Sequence, residues 1–360
     1  MMTTTFDLDD RDRIRTVDRE GMLAHIEFLP DQFEQAWRLA PALPLPDSHR
    51  RPRQIVLAGM GGSAIGGDLT AALVGSRASI PLSVVRGYDL PAYVSGPDML
   101  VIASSFSGNT EETLSAADQA LGRNVRLLAL TTGGQLADHA QSHGYPLWQF
   151  DYQSQPRAAL GWSFGLLIGL AHRLNLAPHL DADLAETVAL LREQKAIYTV
   201  STPATQNPAK RGAGQLMGRI PVIYGGGIFE PVARRWKTQL NENAKVWSQY
   251  EGMPEANHNT VAGISLPSEH VCSTVALFIT SSEYDHPRVR LRYDWTLKLC
   301  LENGIMTDRF YPKGTSALAQ MGHAIQYGDY LSFYTAIAYG VDPTEIAPIS
   351  ELKKYLAQNA

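Results

Sequence analysis

At 360 residues the chain is longer than the roughly 250–300 at which a single hydrophobic core stops growing, so two domains are expected. A composition of 44% hydrophobic and 19% charged residues is that of a core-forming globular protein, not a disordered or fibrous one. The net charge of −5 argues against nucleic acid or an anionic membrane surface as the main partner, although a local cradle can still bind a small anion.

The first residues carry no basic start followed by an apolar stretch, and no apolar run approaches the ~18 residues of a membrane span. A cytoplasmic protein is expected. Residues 18–39 place Met22, Ile26, Phe33, Ala36 and Trp37 at helical spacing, which predicts one amphipathic lead-in helix. Pro41-Ala-Leu-Pro-Leu-Pro46 then reads as a connector. Apolar runs at 54–58, 80–85, 99–104 and 125–131 alternate with helix-length segments, the rhythm of βαβ units on a parallel sheet. Helical text follows at 158–174 and 181–198. The soft segment 199–208 marks a boundary. The pattern restarts at Ile220–Tyr224, with Gly225-Gly-Gly227 and a helix carrying Pro231 in its first turn. A strand-like run at 271–280 and helical stretches at 287–302 and 315–339 complete it. The expected fold is α/β, two doubly wound α/β/α domains with mostly parallel sheets plus an N-terminal helix. The lead-in and connector would occupy 1–49, the first domain 50–200 and the second 201–360. Cys272 and Cys300 are expected to be two buried thiols in a reducing compartment.

Two loops of the first domain carry the strongest chemical signal. Gly59-Met-Gly-Gly-Ser-Ala-Ile-Gly-Gly-Asp68 and Ser104-Ser-Phe-Ser-Gly-Asn-Thr-Glu-Glu112 each follow an apolar run and open into a helical stretch. That geometry aims backbone N–H groups and hydroxyls at a phosphate. Neither loop contains Lys or Arg, so Ser63, Ser105, Ser107, Thr110 and the helix N-termini would do the binding. A cradle of this kind suits a small phosphomonoester better than a nucleoside triphosphate. Gly59-x-Gly61-x-x-Ala64 alone also fits a dinucleotide fingerprint, with Arg86 available for a 2′-phosphate, so an NADP-dependent oxidoreductase is a competing reading. The second hydroxyl loop, with Asn109 and Glu112 read as its helix start, speaks against it.

The second half contributes Asn241-Glu242-Asn243-Ala-Lys245 and Met253-Pro-Glu255-Ala-Asn257-His258-Asn259. Glu242 falls at the expected C-terminus of the helix that starts near Pro231, where the helix dipole favours a proton on a carboxylate, as a general base needs. His258 is an acid–base candidate on its loop. Glu242 at a helix end is equally readable as a solvated surface group, and His258 as a structural loop residue. No HExxH, CxxC or His–Asp ladder points to a metal, and no cofactor is expected. Arg157, before an apolar helix, is read either as a helix-end charge or as a ligand contact. Lys353 and Lys354 lie on a terminal helix whose lysines would ordinarily be solvated.

Taken together, the stretches GMGGSAIGGDL (59–69), SFSGNTEETL (105–114), QPRAAL (155–160), KTQLNENAK (237–245), PEANHN (254–259) and the closing DP…I…LK pattern (342–353) resemble the bifunctional phosphoglucose/phosphomannose isomerase family, built from sugar isomerase (SIS) domains. The resemblance runs over nearly the whole chain, and the NENAK and PEANHN pair is its most specific part. It implies a hexose 6-phosphate substrate and a metal-free isomerisation. Ser63, Ser105, Ser107 and Thr110 would hold the phosphate, Gly61 and Gly62 would let backbone approach the sugar, and Arg157 would steady an enediolate. Glu242 would shuttle the proton. His258, from the partner subunit of a homodimer, and Lys353 would assist ring opening. Thr344 would line the wall that accepts both C2 epimers. A non-catalytic SIS sugar-phosphate sensor is the alternative, since it shares the SxSGNT loop.

Overall fold

The alternation of apolar runs and helical segments produces two parallel sheets in the computed structural model, which describes residues 7–359. In chain order the elements are α1 (Arg11–Val17), α2 (Met22–Glu27), α3 (Leu29–Leu39), β1 (Gln54–Gly59), α4 (Gly61–Val74), β2 (Leu82–Val85), β3 (Met99–Ser104), α5 (Glu111–Gly122), β4 (Arg126–Thr131), α6 (Gly134–His143), β5 (Leu147–Gln149), α7 (Leu160–Arg173), α8 (Leu180–Tyr198), α9 (Pro208–Leu216), β6 (Ile220–Gly226), α10 (Glu230–Glu242), β7 (Gln249–Met253), α11 (Ser268–Val271), β8 (Thr274–Ile279), α12 (Pro287–Glu302), β9 (Met306–Phe310), α13 (Ala317–Tyr339) and α14 (Ala347–Gln358). Among the described residues no helix is long and apolar enough to cross a membrane.

The first sheet has the order β2-β1-β3-β4-β5 and the second β7-β6-β8-β9, with every ladder parallel. Counted within its own half, the second sheet is wound 2-1-3-4, as is the first before its fifth strand. Parallel pairing requires crossover connections; helices supply them except between β2 and β3, where residues 86–98 cross without a helix. The central strands β1 and β3 read as continuous apolar runs because both faces of a parallel sheet are covered; Ile55–Gly59 and Met99–Ser104 are buried throughout.

The chain divides into two compact units, neither continuous in sequence. One holds the first sheet, from Phe28 to Arg192, together with Lys313–Gly322. The other holds the second sheet, Glu193–Pro312, with residues 7–27 and 323–359. In the first-sheet unit the Glu186 carboxylate accepts from the Thr315 N–H (2.6 Å) and the Ser316 N–H (3.0 Å). In the second-sheet unit the buried Lys210 ammonium donates to Asp9 (2.9 Å), and the Thr199 hydroxyl donates to Glu27 (3.0 Å).

One helix pair of the first-sheet unit is set by small residues. A β-carbon on Gly161, Gly165 or Gly169 of α7 would fall 2.5, 2.8 and 2.4 Å from the β-carbons of Gln32, Ala36 and Ala40, on α3 and its C-cap. Both stripes repeat every four residues, so the two helices meet along one face at a separation that only glycine permits.

Several local readings differ from the sequence expectation. The lead-in is not one helix: it breaks at Phe28 and restarts as α3 with Pro30 in its first turn, because proline carries no N–H to continue the preceding ladder. The proline-rich connector is fastened down. The Trp148 indole donates to the Pro44 carbonyl (2.8 Å), and Arg173 donates to the carbonyls of Ala40 (2.7 Å) and Leu43 (2.6 Å). Of the two cysteines only Cys300 is buried. Cys272 is exposed, because the strand-like run at 271–280 opens with the helical turn of α11 and the strand starts only at Thr274. The cap of α5 is Thr110, while Asn109 turns its side-chain oxygen to the Gln135 N–H (3.1 Å).

Candidate active site

In a sheet wound 2-1-3 the chain reverses direction between the first and third strands, and ligands collect at their carboxyl ends. In the first sheet those ends are Gly59 and Ser104, which are paired partners. A β-carbon on Gly59 would stand 2.7 Å from the Ser104 carbonyl oxygen, so the first loop needs glycine to leave the sheet there. Gly61 starts α4 in the left-handed region at φ +48. On Gly62 a β-carbon would lie 3.0 Å from the Pro156 oxygen and 3.2 Å from the Arg157 nitrogen, which brings the turn Pro156–Ala159 against the first loop. Arg157 is 2% exposed, a charged side chain drawn into the protein beside that loop.

The hydroxyls of both loops converge. Ser63 Oγ accepts from the Phe106 N–H (3.0 Å), which ties the first loop to the second. Ser105 Oγ lies 2.8 Å from Thr110 Oγ1 and accepts from the Gly108 N–H (3.1 Å), and Ser107 Oγ accepts from the Asn109 N–H (3.2 Å). Ser63 and Ser105 are buried. The cradle thus consists of hydroxyls and amides at the N-termini of α4 and α5, with no cation in either loop, an arrangement able to bind a phosphate monoester. Arg86, the residue an NADP site would use, is engaged by both oxygens of Asp68.

A third turn that the sequence reading passed over supports this cradle. Thr132 Oγ1 donates to the Phe106 carbonyl (2.7 Å), and Thr131 Oγ1 donates to the Gly133 carbonyl (2.8 Å). Gly108 lies so close to this turn that a β-carbon on it would meet the Gly133 oxygen at 1.8 Å. The signal was available in the text as Thr131-Thr-Gly-Gly134 directly after the fourth strand.

The corresponding loop of the second sheet, after β8, is filled from within. The Asp285 carboxylate accepts from the Ser281 N–H (2.7 Å), and Ser281 Oγ accepts from the N–H groups of Glu283 (3.1 Å) and Tyr284 (3.2 Å). Burial lifts the Asp285 carboxyl from its ordinary 3.8 to about 6. A backbone N–H of the kind that would face a bound anion is therefore taken by the chain's own carboxylate, which separates the two halves chemically.

The second-sheet unit carries the remaining candidates. Glu242 is the last residue of α10 and is half-buried. Beyond it Asn243 is buried, and the chain turns at Lys245, held at φ +56, whose ammonium donates to the carbonyls of Asn243 (3.2 Å) and Asp342. His258 ends the turn Glu255–His258 and is exposed. Its neighbours anchor the loop: Asn257 Nδ2 donates to Thr296 Oγ1 (2.8 Å) and Asn259 Nδ2 to Glu255 Oε1 (2.9 Å). Thr344 is buried, and its N–H donates to Asp342 Oδ1 (2.9 Å). Lys353 and Lys354 are exposed on α14, a helix without a buried residue. The first-sheet unit therefore brings together Gly61, Gly62, Ser63, Ser105, Ser107, Thr110 and Arg157. Glu242, His258, Thr344 and Lys353 belong to the second-sheet unit.

Two parallel α/β units of this topology, one with a hydroxyl cradle at its switch point, define a two-domain SIS protein. Residues 50–145 match the SIS domain and residues 205–356 the bacterial phospho-glucose isomerase C-terminal SIS domain. A bifunctional phosphoglucose/phosphomannose isomerase of Caldicellulosiruptor bescii is 37% identical over 340 residues, covering 94% of this chain and 99% of that one. One of the same description from Aquifex aeolicus is 33% identical over 307 residues, covering 85% and 91%. A hypothetical protein from Thermus thermophilus shares the fold, with a TM-score of 0.74 at 16% identity over 98% of this chain and 93% of that one. The chain belongs to the bifunctional phosphoglucose/phosphomannose isomerase family.

Proposed function

We propose that the protein interconverts glucose 6-phosphate and mannose 6-phosphate with fructose 6-phosphate by proton transfer through a cis-enediol. The observation that carries this reading is Glu242, half-buried at the C-terminal end of α10 with the following turn fixed by Lys245. A sensor of sugar phosphates needs the cradle but no such base.

In this reading Ser63, Ser105, Ser107 and Thr110 hold the phosphate, and Gly61 and Gly62 let the backbone approach the sugar. That remote contact supplies binding energy to orient the reacting carbons. His258 and Lys353 open the ring, giving an aldose with its carbonyl at C1. Glu242 removes the C2 proton as the C1 oxygen gains one, forming the enediol. The protonated carboxyl then returns its proton to C1 while the O2 proton leaves, which moves the carbonyl to C2. The net change is an isomerisation, so no electron acceptor is consumed. Arg157 steadies the negative enediolate oxygens. Protonation of C2 on either face yields either epimer, and Thr344 forms part of the wall that accepts both. The exposure of His258 supports its service to a partner subunit in a homodimer. A hexose 6-phosphate substrate supports a cytoplasmic site of action.

The test supplies fructose 6-phosphate to wild type and Glu242→Gln and quantifies both products. Wild type should form glucose 6-phosphate and mannose 6-phosphate, and the variant should lose about 10²–10⁴-fold in kcat. Binding without either product would replace the isomerase with a sensor, and glucose 6-phosphate alone would remove the second activity.

A further inference from the structure

The end of α10 and its C-cap carry a polar stripe at four-residue spacing, Arg235, Gln239 and Asn243, all buried. It faces α13. Arg235 Nη2 and Gln239 Nε2 both donate to the Asp329 carboxylate (2.8 and 2.9 Å), and Asn243 Nδ2 donates to Ser332 Oγ (3.0 Å). Ser332 Oγ in turn donates to the Asp329 carbonyl (2.8 Å). Below these contacts the Trp236 indole donates to the Ala324 carbonyl (2.8 Å), and a β-carbon on Gly328 would overlap the Trp236 ring at 2.3 Å. The contacts climb both helices together, turn by turn.

A buried ion pair is a weak source of net stability. Apolar residues of equal volume commonly pack as well or better, because the charges must be stripped of water. Polar partners supply something apolar ones do not, a defined register, since sliding or rotating one helix leaves donors and acceptors unpaired in the core. The register matters here because Glu242 lies in the same final turn, between Gln239 and Asn243.

We propose that the buried seam of Arg235, Gln239 and Asn243 against Asp329 and Ser332 positions the Glu242 carboxylate for proton transfer. Gln239, Asp329 and Ser332 are thus positioning residues that act through Glu242. The proposal rests on the reading of Glu242 as the base. A displacement of the order of 1 Å at a reacting group costs about 10²-fold, so a loosened register should be visible in kcat.

The test uses two substitutions that leave the Arg235–Asp329 pair intact, Ser332→Ala and Gln239→Met, alone and combined, each also placed on Glu242→Gln. In the wild-type background kcat should fall about 3–10-fold for each and about 10–100-fold together, with KM for fructose 6-phosphate within about two-fold. On Glu242→Gln the same substitutions should change the residual kcat by less than about two-fold, because the group they position is already gone. A loss repeated at full size on Glu242→Gln, or one that tracks a fall in folded fraction measured by circular dichroism at the assay temperature, overturns the proposal. So does wild-type kcat in the combined variant. If Glu242→Gln itself retains activity, the base reading fails first and takes this inference with it.

Discussion

Gly108 offers a test in which the structure separates two energies that usually arrive together. Its φ is +70, and a β-carbon there would sit 1.8 Å from the Gly133 carbonyl oxygen, 2.8 Å from its carbon and 3.0 Å from Thr131 Oγ1. The obstacle is backbone, and its turn is held by the Thr131 hydroxyl, so it cannot swing aside as a flexible side chain would. Gly144, the C-cap of α6, has the same φ of +70, with nothing within 4 Å of the equivalent point. Gly144→Ala should therefore cost only the left-handed penalty, about 1–2 kcal/mol. Gly108→Ala should add an overpacking cost of about 1–3 kcal/mol. Relief requires the Ser105–Thr110 loop to move by more than 1 Å from Gly133, given an ordinary contact of 3.4 Å or more. A shift of that size at the phosphate cradle should lower kcat/KM for fructose 6-phosphate about 10²-fold. Urea unfolding followed by circular dichroism gives the stability difference, and steady-state kinetics gives the second quantity. Equal destabilisation of the two variants, with wild-type kinetics in Gly108→Ala, would refute the claim that the third turn fixes the cradle.

Three further outcomes follow from the packing and the charges. Gly165→Ala, which would gain helix propensity in isolation, should instead destabilise the protein by about 1–3 kcal/mol in urea titration, since its β-carbon would fall 2.8 Å from that of Ala36. Asp285 holds its proton in the folded protein up to about 6, against 3.8 ordinarily. Its favourable contribution is therefore full below about 3.8 and lost as the pH rises through about 6. Asp285→Asn should flatten the fall in stability between those values by up to about 3 kcal/mol, read from urea midpoints across that range. Cys272 is exposed while Cys300 is buried with its thiol pushed up to about 11, so a thiol reagent at about pH 8 should modify one cysteine in the native protein and both in denaturant. Two reactive thiols without denaturant would contradict the packing of α12.

The central strands were legible because, buried on both faces, they leave unbroken apolar runs such as Met99–Ala103, and because Gly225-Gly-Gly227 repeats the loop signal of the first half; β5, β7 and β9, only partly buried, leave no such run and were not read as strands. The convergence of the two loops was legible for a related reason: helix-opening turns rich in hydroxyls and free of cations are written in serine, threonine and glycine, as in Gly59–Asp68 and Ser104–Glu112. Other features were hidden because they depend on partners far away in the chain. Nothing near Arg235 in the text names Asp329 as its partner, and the Pro41–Pro46 stretch looks like a loose connector until Trp148 and Arg173 are seen to hold it. Cys272 was placed wrongly because hydrophobicity alone cannot separate the end of a helical turn from the start of a strand.

The interleaving of the two units has a consequence for how the protein is made. As the chain leaves the ribosome, residues 28–192 emerge early, yet the Glu186 carboxylate must wait for Thr315 and Ser316, and Gly322 has still to dock where its β-carbon would come 2.8 Å from Thr187. The segment ending at Glu27 emerges earlier still and waits for Thr199 and Lys210. Neither unit closes in the order of synthesis, so a nascent chain carries two incomplete cores until more than 320 residues have been made. Cutting the gene near residue 200 would release two fragments that each lack a piece of themselves.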